Sequence, residues 1–140
     1  MYYLIKKIIV VTLFLSLCVT YVVAQRKTVD SLLKLLSTAK NDTSIFFING
    51  NLIEAYKNVN LDSGVYYAQQ QILITKRIND PYLQAVALNQ YGYALFFAGN
   101  YPDALNALFK ALQQFENNAD TFGIAVSNLH LGFVYRNSDE

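Results

Sequence analysis

The side chains that could do chemistry are few in this chain and lie far apart. His130 is the only histidine and Cys18 the only cysteine among 140 residues, so the histidine or thiolate sets that hold zinc cannot form. No run of carboxylates has the spacing of a calcium loop, and no glycine-rich phosphate-binding motif occurs. His130 lies between Leu129 and Leu131, where a surface or packing role is expected rather than that of a general base. We therefore predict that the chain is not an enzyme and has no catalytic residue, no metal site and no cofactor.

Acidic residues fall instead where helices are expected to begin. Four of them have this placement: Asp62, Asp80, Asp103 and Asp120. At a helix start a carboxylate accepts hydrogen bonds from free backbone amides and faces the positive end of the helix dipole. The pattern predicts helix caps, not a cluster of catalytic acids.

The chain repeats itself at an offset of forty residues. The recurrence has no gap: Asp80, Ala85, Val86 and Gly92 reappear as Asp120, Ala125, Val126 and Gly132. A period of this length is typical of stacked helical repeats, which present a surface to a partner and carry no chemistry of their own.

The first 24 residues have the composition of a secretory signal. Lys6 and Lys7 precede an uncharged apolar run over residues 8–24, and Val22-Val23-Ala24 supplies a cleavage site before Gln25. Two alternatives stay open: an uncleaved membrane anchor, and lipidation at Cys18, although Leu17 stands where a lipoprotein box needs a small residue. Each alternative predicts an exported chain, periplasmic or otherwise extracytoplasmic, with membrane contact only through this segment or a downstream transmembrane segment.

Charge argues against nucleic acid as a partner. Loss of Lys6 and Lys7 with the signal would leave nine basic and ten acidic residues, and the basic ones are scattered from Arg26 to Arg136. Binding to phosphates needs clustered Lys and Arg. A content of 54% hydrophobic and 15% charged residues is typical of one folded domain.

The apolar spacing predicts helices throughout and no sheet, so the predicted fold class is all-α. A leading amphipathic helix is expected within residues 25–41, with Thr28 or Asp30 at its start. Further helices are expected over residues 42–58, 62–78, 81–98, 101–116 and 121–136. Short connections make neighbouring helices antiparallel, which gives stacked hairpins in an α-solenoid.

The third and fourth of these five helices, over residues 81–98 and 101–116, carry a family resemblance. Small and large residues occupy fixed positions in these two helices. The small ones are Gly92, Ala104 and Ala111, the large ones are Leu88, Tyr91, Leu95 and Leu108, and Gly132 repeats Gly92 forty residues later. This pattern resembles the tetratricopeptide repeat, although HEAT-type hairpins share the forty-residue period. The resemblance implies a divergent repeat at residues 42–79, a well-formed repeat at 80–119, and the first helix of a further, truncated repeat at 120–140.

The order of these parts resembles the N-terminal extracytoplasmic region of tetratricopeptide sensor histidine kinases and related regulators of Bacteroidota-type bacteria. It implies a sensor region whose transmembrane helix and signalling domain lie beyond residue 140. A freestanding periplasmic or surface adaptor is the alternative. We expect 120–140 to need a following helix, which favours a longer protein.

In tetratricopeptide proteins the first helices of the hairpins line a concave groove that binds a protein or peptide. Helical spacing and the forty-residue offset predict the following groove residues: Asn49, Asn89, Tyr93, Phe97, Phe133 and Arg136. Asn amides can both donate to and accept from a peptide backbone. Ligand identity does not follow from these residues.

Overall fold

A computed structural model describes residues 2–138, apart from the side chains of residues 2, 4, 5, 8, 15 and 17–24. Six helices fill this range: α1 (Tyr2–Thr38), α2 (Asp42–Tyr56), α3 (Leu61–Ile78), α4 (Pro81–Phe97), α5 (Tyr101–Asn117) and α6 (Thr121–Ser138). No strand occurs within it, so the all-α prediction is confirmed.

The helices stack as consecutive hairpins in two layers. Each helix packs on the next one in the chain, because connections of two to four residues hold consecutive helices side by side. In addition, α2 contacts α4 and α4 contacts α6. The first helices of the hairpins, α2, α4 and α6, therefore form one layer, and α3 and α5 form the other.

Side-chain oxygens cap the helix starts, but not always those of the predicted aspartates. Asp80 accepts from the backbone amides of the second and third residues of α4 at 2.8 and 3.2 Å, as predicted. At α3 and α5 the cap is instead Asn60 and Asn100. The predicted capping role of Asp62 and Asp103 is therefore wrong, because both carboxylates lie within the first helical turn, where they still favour the helix dipole.

Helix α1 runs without a break through the predicted boundary between signal and leading helix. The prediction that Thr28 or Asp30 starts a helix is wrong, because the preceding residues are helical as well. Val29 is buried, whereas side chains nearer the N-terminus, such as Ile9 and Phe14, are more than half exposed. Within the described part of the chain, none of the helices has both the length and the apolar character to cross a membrane. The signal peptide stays a prediction.

Gly92 and Ala104 lie where α4 and α5 approach most closely, as the repeat pattern predicts. A Cβ added to Gly92 would lie 2.6 Å from Leu108 Cγ and 3.0 Å from the Ala104 carbonyl oxygen. Leu108 and Ala104 are fully buried and join Leu95 in a cluster that residues of α6 complete. The small residues thus allow the close helix contact around which the core is packed.

Gly132, the counterpart of Gly92 on α6, has a different environment. No atom outside the neighbouring backbone of α6 lies within 4 Å of a Cβ added there, so close packing does not explain this glycine within the described residues. Ala125 and Tyr135 are exposed, although their counterparts forty residues earlier are buried. The face of α6 that corresponds to the α5-binding face of α4 therefore meets no helix of residues 2–138.

The divergent first repeat keeps only one of the two small residues of the helix contact, Gly64, which stands forty residues before Ala104. Leu52 stands forty residues before Gly92 and is fully buried. The small residue of this hairpin is Gly64 on α3, where an added Cβ would lie 3.8 Å from the Ile53 carbonyl oxygen. That distance is an ordinary van der Waals contact, so the first hairpin lacks the tight helix approach found at Gly92.

Candidate functional site

The layer formed by α2, α4 and α6 carries a groove with two connected cavities. The cavity between α4 and α6, here called the α4–α6 cavity, has a volume of about 360 Å³ and is walled by rings that include Tyr82, Phe115 and Phe122. The cavity between α2 and α4 measures about 290 Å³. Both are lined by Gln90 and Tyr93, which makes them parts of one groove.

Helix α6 can lie close to α5 at this groove because Gly123 has no side chain. A Cβ at Gly123 would overlap the ring of Phe115. Phe115 is 3% exposed, so its ring lies against the backbone of α6 and contributes to the wall of the α4–α6 cavity. Phe122, at the start of α6, is 76% exposed and stands at the rim.

Stacked aromatic rings continue from the cavity along α4 and α6. The rings of Tyr93 and His130 are parallel within 20°, with centroids 4.3 Å apart. Phe97 meets Tyr93 edge-on at 4.9 Å, and Phe133 stacks on Phe96 at 6.1 Å. Such arrangements of rings stabilise one another by about 0.5–1.5 kcal/mol beyond their burial. The groove therefore has a continuous aromatic surface.

Two cations lie over these rings. The Lys57 ammonium is 5.9 Å from the centroid of Tyr93, and the Arg136 guanidinium is 5.7 Å from that of Phe133. Both distances fall within the range of cation–π attraction. Lys57 also pairs with Glu54, which raises the pKa of Lys57 and neutralises much of its charge.

Three of the residues that line the α4–α6 cavity each have a buried polar atom without a hydrogen-bond partner among the described residues. The atoms are Gln90 Oε1, Asp120 Oδ2 and His130 Nδ1. The other carboxylate oxygen of Asp120 accepts from the Phe122 amide at 3.1 Å, which confirms its predicted cap. A buried polar group without a partner costs about 1–3 kcal/mol. All three atoms are closed to solvent, so the wall that a bound molecule would touch is formed mainly by the rings.

Burial lowers the pKa of His130 to about 4, although the nearby Glu54 carboxylate acts in the opposite direction. The imidazole is consequently neutral at physiological pH. A neutral imidazole has one N–H donor and one acceptor nitrogen, so His130 adds no positive charge to the groove. Its packing on Tyr93 matches the structural role expected from the sequence.

The structure brings five of the six predicted groove residues together. Tyr93, Phe97, Phe133 and Arg136 belong to the continuous aromatic surface described above. Asn89 lines the α4–α6 cavity but is 4% exposed, and its amide donates to Ser127 Oγ at 2.7 Å. Asn89 therefore joins α4 to α6. Whether these residues bind a ligand stays a prediction.

The sixth residue, Asn49, lies outside the groove. It lines a separate cavity beside Tyr67 and Arg77, on the side of α2 that faces α1 and α3. The equivalent of Ser127 forty residues earlier is Ala87, which offers Asn49 no side-chain oxygen. The expectation that Asn49 repeats the role of Asn89 is therefore wrong.

Sequence reasoning missed the polar residues of the cavity. Gln90 stands forty residues before His130, so the same helical position is polar in both repeats. A polar residue at the same helical position of two successive repeats indicates that this position has a shared environment. Asp120 is expected only as a cap, and nothing in the sequence indicates that its second oxygen is buried.

Comparison with known families gives a match over residues 17–138 to the SusR N-terminal TPR domain. The chain belongs to this family. The predicted tetratricopeptide assignment is thereby confirmed, in preference to HEAT-type hairpins. No curated protein matches the chain significantly. Tetratricopeptide domains commonly bind proteins or peptides, and the family supports a role as a protein-interaction scaffold.

Proposed function

We propose that the groove on α2, α4 and α6 binds an extended segment of a partner protein. The observation that carries the proposal is the row of aromatic rings that leads from the α4–α6 cavity along one layer of helices. Aromatic rings supply large contact area and are enriched where protein partners bind.

A selection from a library of random peptides, made on the full chain, tests this assignment. Phe122→Ala removes an exposed ring at the rim, and Phe109→Ala removes a ring 47% exposed on α5, in the opposite layer. We expect Phe122→Ala to weaken the selected peptides by on the order of tenfold or more, as truncation of an aromatic anchor does. Phe109→Ala should leave their affinity unchanged. Equal loss in both variants, or loss only in Phe109→Ala, would contradict the assignment.

We further propose that the chain is exported and forms the extracytoplasmic sensor region of a bacterial signalling protein. The basic pair Lys6-Lys7, the apolar run after it and the resemblance to sensor regions support this proposal. An alkaline phosphatase reporter fused after residue 138 should be active, because that enzyme needs an oxidising compartment. An inactive reporter on a stable fusion would refute export.

The gene sequence beyond Glu140 separates the sensor from the freestanding adaptor. A reading frame that continues into a transmembrane run and a kinase or DNA-binding domain supports the sensor. An immediate stop supports the adaptor, and the partner would then be sought among exported proteins.

A further inference from the structure

We propose that the α4–α6 cavity binds one large apolar side chain of the partner, such as leucine. This inference rests on the proposed function, since it names the chemistry that one part of the groove recognises. The cavity has a volume of about 360 Å³. An apolar protein cavity of about 150 Å³ is already large enough for a benzene molecule, so one large side chain fits in this space.

The surface that an entering side chain would touch is largely apolar. Tyr82 near the start of α4 and Phe122 at the equivalent position of α6 both line the cavity, with 48% and 76% of their surfaces exposed. The ring of Phe115 meets that of Tyr82 with centroids 6.1 Å apart, and the partly buried Val86 and Val126 add aliphatic surface. An apolar side chain in the cavity would remove this exposed apolar surface from water, which favours its binding.

The buried polar atoms of the cavity residues cannot bond to an entering side chain. Gln90 Oε1, Asp120 Oδ2 and His130 Nδ1 are closed to solvent. Asn89 is 4% exposed, and its amide already donates to Ser127 Oγ. A polar side chain placed against this part of the wall would lose its hydrogen bonds to water and gain none in return, which opposes its binding.

The charges at the cavity are already engaged within the chain. Asp120 caps α6 through one carboxylate oxygen, and its other oxygen is buried. Glu54 borders both cavities of the groove and is paired with Lys57. His130 is neutral at physiological pH because burial lowers its pKa to about 4. Charge complementarity therefore favours an uncharged occupant, since a charged side chain would lose its hydration here without gaining an opposite charge.

The single histidine of the chain makes the test direct, because His130 lines the cavity and gives the only imidazole signals in a proton NMR spectrum. The probes are N-acetyl-leucine amide, N-acetyl-asparagine amide, whose side chain has nearly the same shape but is polar, and N-acetyl-lysine amide, which is charged. With the leucine probe we expect saturable shifts at His130 and nuclear Overhauser contacts between the leucine methyl protons and the His130 ring protons. The asparagine and lysine probes should bind at least about tenfold more weakly, because they lack the apolar surface that burial removes from water.

A matched pair of variants locates the side chain. Val126→Phe adds a ring inside the cavity, and Ala125→Phe adds one at the neighbouring residue, which is exposed and does not line the cavity. Val126→Phe should weaken the leucine probe by about tenfold, whereas Ala125→Phe should not change its affinity. Phe122→Ala is a second variant that should keep the fold, because its ring is 76% exposed, and it should weaken the same probe. Melting curves of all three variants check that the fold is kept.

Each failure has its own signature. Equal affinity for the asparagine probe, tighter binding of the lysine probe, or equal effects of Val126→Phe and Ala125→Phe would overturn the apolar assignment. Selected peptides that bind the groove and keep their affinity when each large apolar residue is replaced by serine in turn would overturn it while leaving the proposed function in place. Contacts of the leucine probe at His130 with no peptide bound in the groove would instead overturn the proposed function.

Discussion

Replacing Gly92 by alanine would measure how tightly α4 and α5 are packed. The added methyl group would lie 2.6 Å from Leu108 Cγ and 3.0 Å from the Ala104 carbonyl oxygen. The second contact is with backbone, so a change of side-chain rotamer cannot relieve it. Overpacking of this kind costs about 1–3 kcal/mol. Replacing Gly by Ala within a helix gains about 1 kcal/mol, so we expect a net loss of up to about 2 kcal/mol.

Gly132→Ala is the matched control, because it makes the same change at the equivalent position of α6. No atom lies within 4 Å of the added methyl group, so only the gain of about 1 kcal/mol in helix propensity remains. The difference between the two variants isolates the packing cost of about 1–3 kcal/mol. At about 4 °C per kcal/mol, the melting temperatures should differ by about 4–12 °C.

Urea unfolding followed by circular dichroism provides the free energies. Gly92→Leu adds more atoms to the same space and should lower stability further than Gly92→Ala. In a Leu108→Ala background, part of the cost of Gly92→Ala should disappear, since the nearest contact has been removed. Equal shifts for Gly92→Ala and Gly132→Ala, or an unchanged melting temperature for Gly92→Leu, would refute the helix contact described here.

Three further changes test other contacts. Because burial lowers the pKa of His130 from 6.5 to about 4, the stability that its neutral form contributes is complete above pH 6.5 and is lost as the pH falls towards 4. In His130→Phe, which keeps a ring beside Tyr93, the free energy of unfolding in urea should fall less steeply over that pH range. An identical fall in both proteins would contradict the lowered pKa. Asn89→Ala removes the donor to buried Ser127 and should lower the free energy of unfolding in urea by about 1–3 kcal/mol. Adding Ser127→Ala should restore part of this loss, because no unpaired hydroxyl is then left. Full additivity of the two changes would argue against the hydrogen bond. Arg77→Gln removes an exposed ion pair with Asp42, so its effect on the melting temperature should be small and should vanish at high salt. A large effect that does not depend on salt would contradict an exposed pair.

The helix boundaries could be predicted because their causes are local. Asp80-Pro81 fixes the start of α4, and Gly99 adopts a positive φ of 77° after its end. The caps at Asn60 and Asn100 were missed because an aspartate follows each within three residues, and either side chain could serve from the sequence alone.

The groove was predictable only in part, since its members come from three helices. Repeat spacing predicts Tyr93 and Phe133 on one face of the first helices, and the structure has both in the same row of rings, because each side chain follows its own helix. The inward positions of Asp120 Oδ2 and Phe115 depend on the close approach that Gly123 allows between α5 and α6. Contacts of that kind arise from tertiary packing and leave no periodic trace in the sequence.

Photo-crosslinking from a selected peptide tests most directly whether the layer of α2, α4 and α6 is the binding surface. A peptide that carries benzoylphenylalanine at one position would be irradiated on the full chain, and the crosslinked residues identified by mass spectrometry. Our account predicts crosslinks near Tyr93, Phe122 and Phe133. Crosslinks confined to exposed residues of α3 and α5, such as Tyr66 and Phe109, would contradict it.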